Sequence, residues 1–207
     1  MKFLAINTAG KNVEVALHMD GAIHYKCATN ARKANEVLFL YIDELMTNNT
    51  VPLTLTDLDF LAVVSGPGSF TGIRIGVSAV RTLAQMTNLK VLPLTFFDVL
   101  SYNNKGISAI DAANGLYYVK VSDGEIEIVK EAELDDYISK YSDEFVLCVE
   151  PQFETSKLST KKQVKKYSLS GSELVGSCLQ EFNKNGLVNY DQVIPLYIRK
   201  PQAEENL

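Results

Sequence analysis

The sequence predicts a two-lobed mixed α/β protein. Three observations predict it. Alternating segments joined by tight-turn signals come before any helical pattern. Near-continuous apolar runs then take turns with amphipathic helices. The β pattern restarts after residue 100. Hairpins first and helix crossovers later mean a mixed sheet with an antiparallel edge, here laid down twice. The expected division is a first lobe over 1–100 and a second α/β lobe over 101–207.

Each element has a local reason. Lys2 to Asn7 is a short apolar run, hence a strand. Val13, Val15 and Leu17 alternate with Glu14, Ala16 and His18, and Asp20-Gly21 then offers the positive φ of a two-residue hairpin turn. Ala22 to Thr29 returns. A two-residue turn sets His18 opposite Ile23 and His24 opposite Leu17, so the two imidazoles point to opposite faces and share no metal ion. Val37, Leu38, Tyr41, Ile42 and Leu45 recur at helical spacing, and Asn48-Asn49 and Pro52 end that helix. Thr56-Asp57 opens a short turn. Asp59 to Ser65 reads as a strand covered on both faces. A second helix runs from about Thr71 to Met86, with Ile73, Val77, Val80 and Ala84 in one stripe and Gly72, Gly76 and Ala79 in another. Leu89 to Leu94 is a strand stopped by Pro93.

In the second half, Ile107 to Ala112 and Leu116 to Val121 are strands around Asn114-Gly115. Glu125 to Val129 alternates, Leu134 to Tyr141 is helical, and Phe145 to Val149 is a buried strand. Ser172 to Lys184 is helical and ends at Asn185-Gly186; Pro195 to Pro201 is extended.

Composition bounds the function. Of 207 residues, 46% are hydrophobic and 22% charged, which supplies a core and excludes disorder. No apolar run approaches the ~20 residues of a membrane helix, and the first seven residues are too sparsely apolar for a signal peptide. Cys27, Cys148 and Cys178 are an odd set without CxxC, which fits reduced thiols in a cytoplasmic protein. Residues 1–100 carry 8 basic and 8 acidic side chains, and residues 101–207 carry 12 and 17. A net charge of −5 does not point to a free-standing nucleic-acid binder, which is usually basic overall, and leaves room for a nucleic-acid substrate handled by a partner.

The densest local feature is Ser65 to Gly76, SGPGSFTGIRIG, joining a buried strand to a helix. Such a junction either presents backbone N–H groups to an anion or makes a sharp turn that seats the helix closely. It lacks the lysine and hydroxyl of a Walker A loop, misses GxGxxG by one residue, and contains no GxSxG elbow. The Gly72–Gly76–Ala79 stripe either packs on the helix around Val37–Leu45 or admits a helix of another protein. Arg74 and Arg81 lie seven apart, either solvated or paired across an interface. Neither histidine sits in a nucleophile motif, and Glu125/Glu127 and Asp135/Asp136 read as solvated faces. Lys157, Lys161, Lys162, Lys165 and Lys166 form the one basic cluster, a solvated loop or a contact for RNA phosphates.

The segment SGPGSFTGIRIGVSAVRTLA closely resembles the signature of the bacterial TsaB (YeaZ) family. LAINTAG, the strand around Ile107–Ala112 and Pro195–Lys200 resemble that family's opening turn, central strand and carboxy-terminal motif, in order. The resemblance implies the actin/Hsp70/sugar-kinase-like fold, two lobes on RNase H-like cores. It implies a non-catalytic subunit without cofactor or metal, which binds the TsaD transferase that makes N6-threonylcarbamoyladenosine in tRNAs reading codons that begin with A. Further implied partners are the TsaE ATPase, a second copy of the chain, and tRNA through the complex, with no membrane. The stretch around Ala34–Phe39 lacks the HxxxH metal pair of the catalytic relative, and Asn7 stands where kinases of this fold place a Mg²⁺-site Asp. The partner surface implied by the resemblance is Leu38, Tyr41 and Ile42 in the first helix, with Thr71, Gly72, Arg74, Ile75, Gly76, Ser78, Ala79, Arg81 and Thr82 in the second. The alternative functions are a nucleotide-binding or glycoprotease-like enzyme of the same fold, or a direct tRNA binder using the lysine cluster.

Overall fold

The computed structural model describes residues 1–29, 34–48, 52–159 and 162–199. The chain forms two compact units, residues 1–96 together with the chain from 170 onward, and residues 97–169.

In the first unit β1 (Lys2–Asn7), β2 (Asn12–Met19) and β3 (Ala22–Thr29) form an antiparallel meander. Asp20 and Gly21 make the two-residue turn with φ of 48° and 96°, and His18 and His24 stand opposite Ile23 and Leu17. That register comes directly from the turn length. Helix α1 (Ala34–Thr47) leads to β4 (Phe60–Val64), which pairs parallel to β1. Helix α2 (Phe70–Thr87) leads to β5 (Val91–Leu94), parallel to β4. The strand order is β3-β2-β1-β4-β5. Pro93 lies inside β5 opposite Val63, where the sequence predicts a stop. An edge strand tolerates a residue without an N–H.

The sheet is covered on both sides. Phe3 and Ile6 are three apart on β1 and therefore face opposite ways. Ile6 looks towards α2, whose Gly76 lies above it. Phe3 stacks on Phe60 at 4.7 Å between ring centroids, and Phe60 stacks on Phe182 of helix α5 (Ser172–Asn185) at 5.2 Å. This column of rings explains why the chain after 170 belongs to the first unit, where the sequence division at residue 100 assigns it to the second. A boundary drawn along the chain does not register that the apolar face of α5 is shaped to the first sheet.

After α5 the chain continues as a strap over the first unit. Val188 bridges Val91 at the edge of the sheet, Lys90 donates to the Asn189 side chain, and the Leu196 N–H donates to Ser65 O at 2.7 Å.

The second unit repeats the strand plan: β6 (Gly106–Asp111), β7 (Leu116–Val121), β8 (Ile126–Lys130), β9 (Val146–Val149) and β10 (Val164–Lys166) in the order β10-β9-β6-β7-β8. Helix α4 (Glu131–Ser139) packs Leu134 and Ile138 onto a core with Ile107, Val119, Leu147 and Val149. Two elements escape the sequence reading. Helix α3 (Phe96–Leu100) is too short for a periodic signal, and β10 is a three-residue strand rich in lysine.

Candidate functional site: the outer faces of α1 and α2

The strand-to-helix junction is built for close approach. Ser69 caps α2, its hydroxyl accepting the Gly72 N–H at 3.2 Å. The Ser69 N–H donates to Ala9 O at 2.6 Å, and the Phe96 N–H donates to Gly66 O at 2.7 Å. The junction's Ser69 N–H is thus bound to its own chain and not offered to an anion.

The same contact accounts for the glycine stripe. A Cβ on Gly72 would overlap the Thr8 carbonyl oxygen, and a Cβ on Gly76 would overlap the Thr8 hydroxyl oxygen. Thr8 Oγ1 donates to the Gly72 carbonyl at 2.7 Å. Gly72, Gly76 and Ala79 are buried. The two glycines seat α2 on the turn after β1, a third arrangement beside the two weighed from sequence. Replacing them tests folding first.

The other implied partner residues separate by exposure. Leu38 and Ile42 are core residues at 0% and 6% exposure. Tyr41 is half-buried, its hydroxyl directed at Cys27 O at 3.4 Å. Thr71, Arg74, Ser78 and Thr82 are exposed, and Ile75 and Arg81 half-exposed. Sequence periodicity finds the apolar stripe of α1, but that stripe is the inward one. The outward face carries Phe39 and Leu40, 50% and 53% exposed, flanked by Glu36 and Asp43. Their adjacency, two large apolar residues off the core stripe, is the signal the periodic reading passes over.

Arg74 is held in place. Its Cζ lies 4.0 Å from the centre of the Phe70 ring, and Nε donates to the Tyr197 hydroxyl at 2.9 Å. Phe70 and Tyr197 lie 4.8 Å apart. Stacking and a hydrogen bond together fix a guanidinium that would otherwise sample many rotamers.

Asn7 occupies the end of β1 in a buried network. Its Nδ2 donates to Glu14 Oε1 at 2.9 Å, and its Oδ1 accepts the Ala9 N–H at 3.1 Å. Tyr25 donates to Glu14 Oε2 at 2.7 Å. Burial, then the neighbouring Glu14 carboxylate, push the Tyr25 phenol well above its usual range. The amide is thus used as donor and acceptor at once, a pairing no carboxylate reproduces.

Both ring nitrogens of His18 have partners: Nδ1 faces Met1 O at 3.0 Å and Nε2 accepts the Gly21 N–H at 3.2 Å. Among the described residues no group of three or more His, Cys, Asp or Glu side chains is placed to hold one metal ion.

The lysine cluster divides. The Lys162 side chain is fully buried, and its ammonium donates to Tyr141 O at 2.8 Å and Ser142 O at 2.9 Å. Lys165 donates to Tyr102 O at 3.4 Å, and Lys166 is exposed. Lys161 and the Lys157 side chain lie outside the described residues. Of the described members, Lys162 and Lys165 are committed to backbone carbonyls and Lys166 is exposed.

Comparison with known proteins agrees with this framework. A family model described as "TsaD: tRNA N6-adenosine threonylcarbamoyltransferase" matches residues 28–205. The tRNA threonylcarbamoyladenosine biosynthesis protein TsaB of Escherichia coli is 30% identical over 125 residues, 57% of this chain and 53% of that one. Its Bacillus subtilis counterpart is 27% identical over 123 residues, again 57% and 53%. The matched part spans about half the length of these curated relatives. The structure of YeaZ from Pseudomonas aeruginosa superposes with a TM-score of 0.76 at 18% identity, covering 95% of this chain and 99% of that one. That likeness is one of fold, the two-lobe arrangement the sequence predicts. Among the described residues no helix is long and apolar enough to cross a membrane.

Proposed function

We propose that this chain, which belongs to the family described as TsaD: tRNA N6-adenosine threonylcarbamoyltransferase and within it to the TsaB (YeaZ) proteins, is a non-catalytic partner subunit in forming N6-threonylcarbamoyladenosine in tRNA. It binds a TsaD-type transferase, which carries the transfer chemistry, in the cytoplasm. A TsaE-type ATPase joins the pair, tRNA is met through the assembled complex, and the same face closes a homodimer when the transferase is absent. The observation that carries the reading is the similarity to TsaB proteins, 30% identity over 125 residues with that of Escherichia coli.

The docking face is the outward side of α1 and α2. Phe39 and Leu40 supply its exposed apolar residues, and Thr71, Arg74, Ile75, Ser78, Arg81 and Thr82 its residues on α2. Leu38, Ile42, Gly72, Gly76 and Ala79 support that face from within.

The test is size-exclusion chromatography with light scattering, on the chain alone and mixed with the TsaD-type transferase of the same organism. A mixed complex is expected, and Phe39→Asp is expected to disrupt it without unfolding the chain. A folded wild-type chain that never co-elutes with the transferase, with tRNA and ATPase present, overturns the reading.

A further inference from the structure

An open cleft of about 490 Å³ runs along α2, between that helix and the C-terminal strap. Arg74, Ser78, Arg81 and Thr82 form one wall, and Tyr190 and Tyr197 stand on the other. The lining carries two guanidiniums and four hydroxyls, and none of its residues is acidic. This is a local reversal on a chain with net charge −5.

The two arginines are in different states. Arg74 is pre-positioned between Phe70 and Tyr197, and because its hydrogen bond uses Nε, the two terminal amino groups keep their donors for a ligand. Arg81 has no hydrogen bond or ion pair among the described residues. Seven residues of helix separate them, two turns or about 10 Å. Planar forks of this kind match carboxylates, taking two parallel N–H···O bonds each.

We propose that this cleft takes an acidic segment of a partner protein, presenting two carboxylates about 10 Å apart to Arg74 and Arg81. An RNA strand fits the cleft less well. Phosphate binding draws its strength from many cations along the backbone, and two on an acidic chain supply too few. The proposal adds the chemistry of the docking segment to the partner-subunit reading, and rests on that reading only for who the partner is.

The test uses the full chain and two probes of like charge, fluorescein-labelled hexaglutamate and fluorescein-labelled hexauridylate. Binding is read by fluorescence anisotropy at about 0.01 M ionic strength, where charge interactions reach about 30 Å. Hexaglutamate is expected to bind saturably and more tightly than hexauridylate. Arg74→Glu and Arg81→Glu should each weaken it by about tenfold or more, and Tyr197→Phe, which only loosens the hold on Arg74, by about threefold. Lys166→Glu, on the other unit, should leave it within about twofold. Arg81→Lys keeps the charge and loses the fork, and gives a readable intermediate value if a charge reversal fails to fold. The proposal is overturned if hexaglutamate does not bind saturably, binds equally to the arginine variants, or binds more weakly than hexauridylate. No transferase is needed for these readings. Failure to co-elute with intact peptide binding retires the partner-subunit reading alone, and co-elution without peptide binding retires the cleft alone.

Discussion

The two long faces of α2 do opposite work. The inward glycine face, Gly72 and Gly76, lets Thr8 pack against the helix with its hydroxyl donating to the Gly72 carbonyl, and leaves no room for a methyl group. The outward arginine face, Arg74 and Arg81, borders an open cleft, and one of its two cations is unpaired among the described residues. Both faces begin in the same twelve-residue motif, which holds Gly72, Gly76 and Arg74, and Arg81 continues the outward one. A glycine-rich motif therefore mixes residues that hold the helix in place with residues that the placed helix presents. Only the second kind can be changed without disturbing the fold.

The largest expected effect breaks the inward face. Gly72→Ala should cost about 3 kcal/mol of stability, because its Cβ meets backbone rather than a movable side chain. Gly76→Ala should cost less, about 1–2 kcal/mol, since the Thr8 hydroxyl can turn away at the loss of one hydrogen bond. Urea unfolding of both variants checks the order; equal, negligible costs would contradict the close approach.

Next comes Asn7→Asp. It removes a donor from Glu14 and sets a second carboxylate beside it, for about 2 kcal/mol at neutral pH. That penalty should shrink on acidification, as one of the two carboxyls takes up a proton. Stability measured at pH 7 and pH 5 separates this from simple loss of packing, which would not change with pH.

On the outward face, Phe39→Asp should change stability by under ~0.5 kcal/mol yet weaken transferase binding by about tenfold or more. The reverse pattern would assign Phe39 to the fold.

The last expected effect lies in the second unit and shows only in alkaline solution. Burial lifts the Cys148 thiol from 9.0 to about 11. A thiol kept neutral in the fold contributes fully below pH 9, and its contribution is lost as pH rises towards about 11. Thermal melts across that range should fall less steeply in Cys148→Ala.

Much of the fold is legible in local chemistry. The hairpin register follows from Asp20-Gly21, and the alternation of buried strand and amphipathic helix yields β4, α2 and β5 in order. Less of the site is legible. Leu38 and Ile42 belong to the core stripe of α1, and only the neighbouring pair Phe39 and Leu40 faces outward. Five lysines within ten residues look alike in a string, yet Lys162 is buried under two carbonyls while Lys166 is exposed.

By itself the sequence determined the two-lobed α/β plan, the hairpin turns, the stripes of each helix and the family signature. These depend on spacing within a few residues, which fixes periodicity and φ. The tertiary structure alone decided which stripe faces inward, that α5 returns to the first sheet through Phe182 and Phe60, and that the strap brings Tyr197 to Arg74 from 123 residues away. Periodicity sets how residues are arranged around a helix axis. It does not set the direction in which that axis turns them, because that is chosen by contacts between segments far apart in the chain.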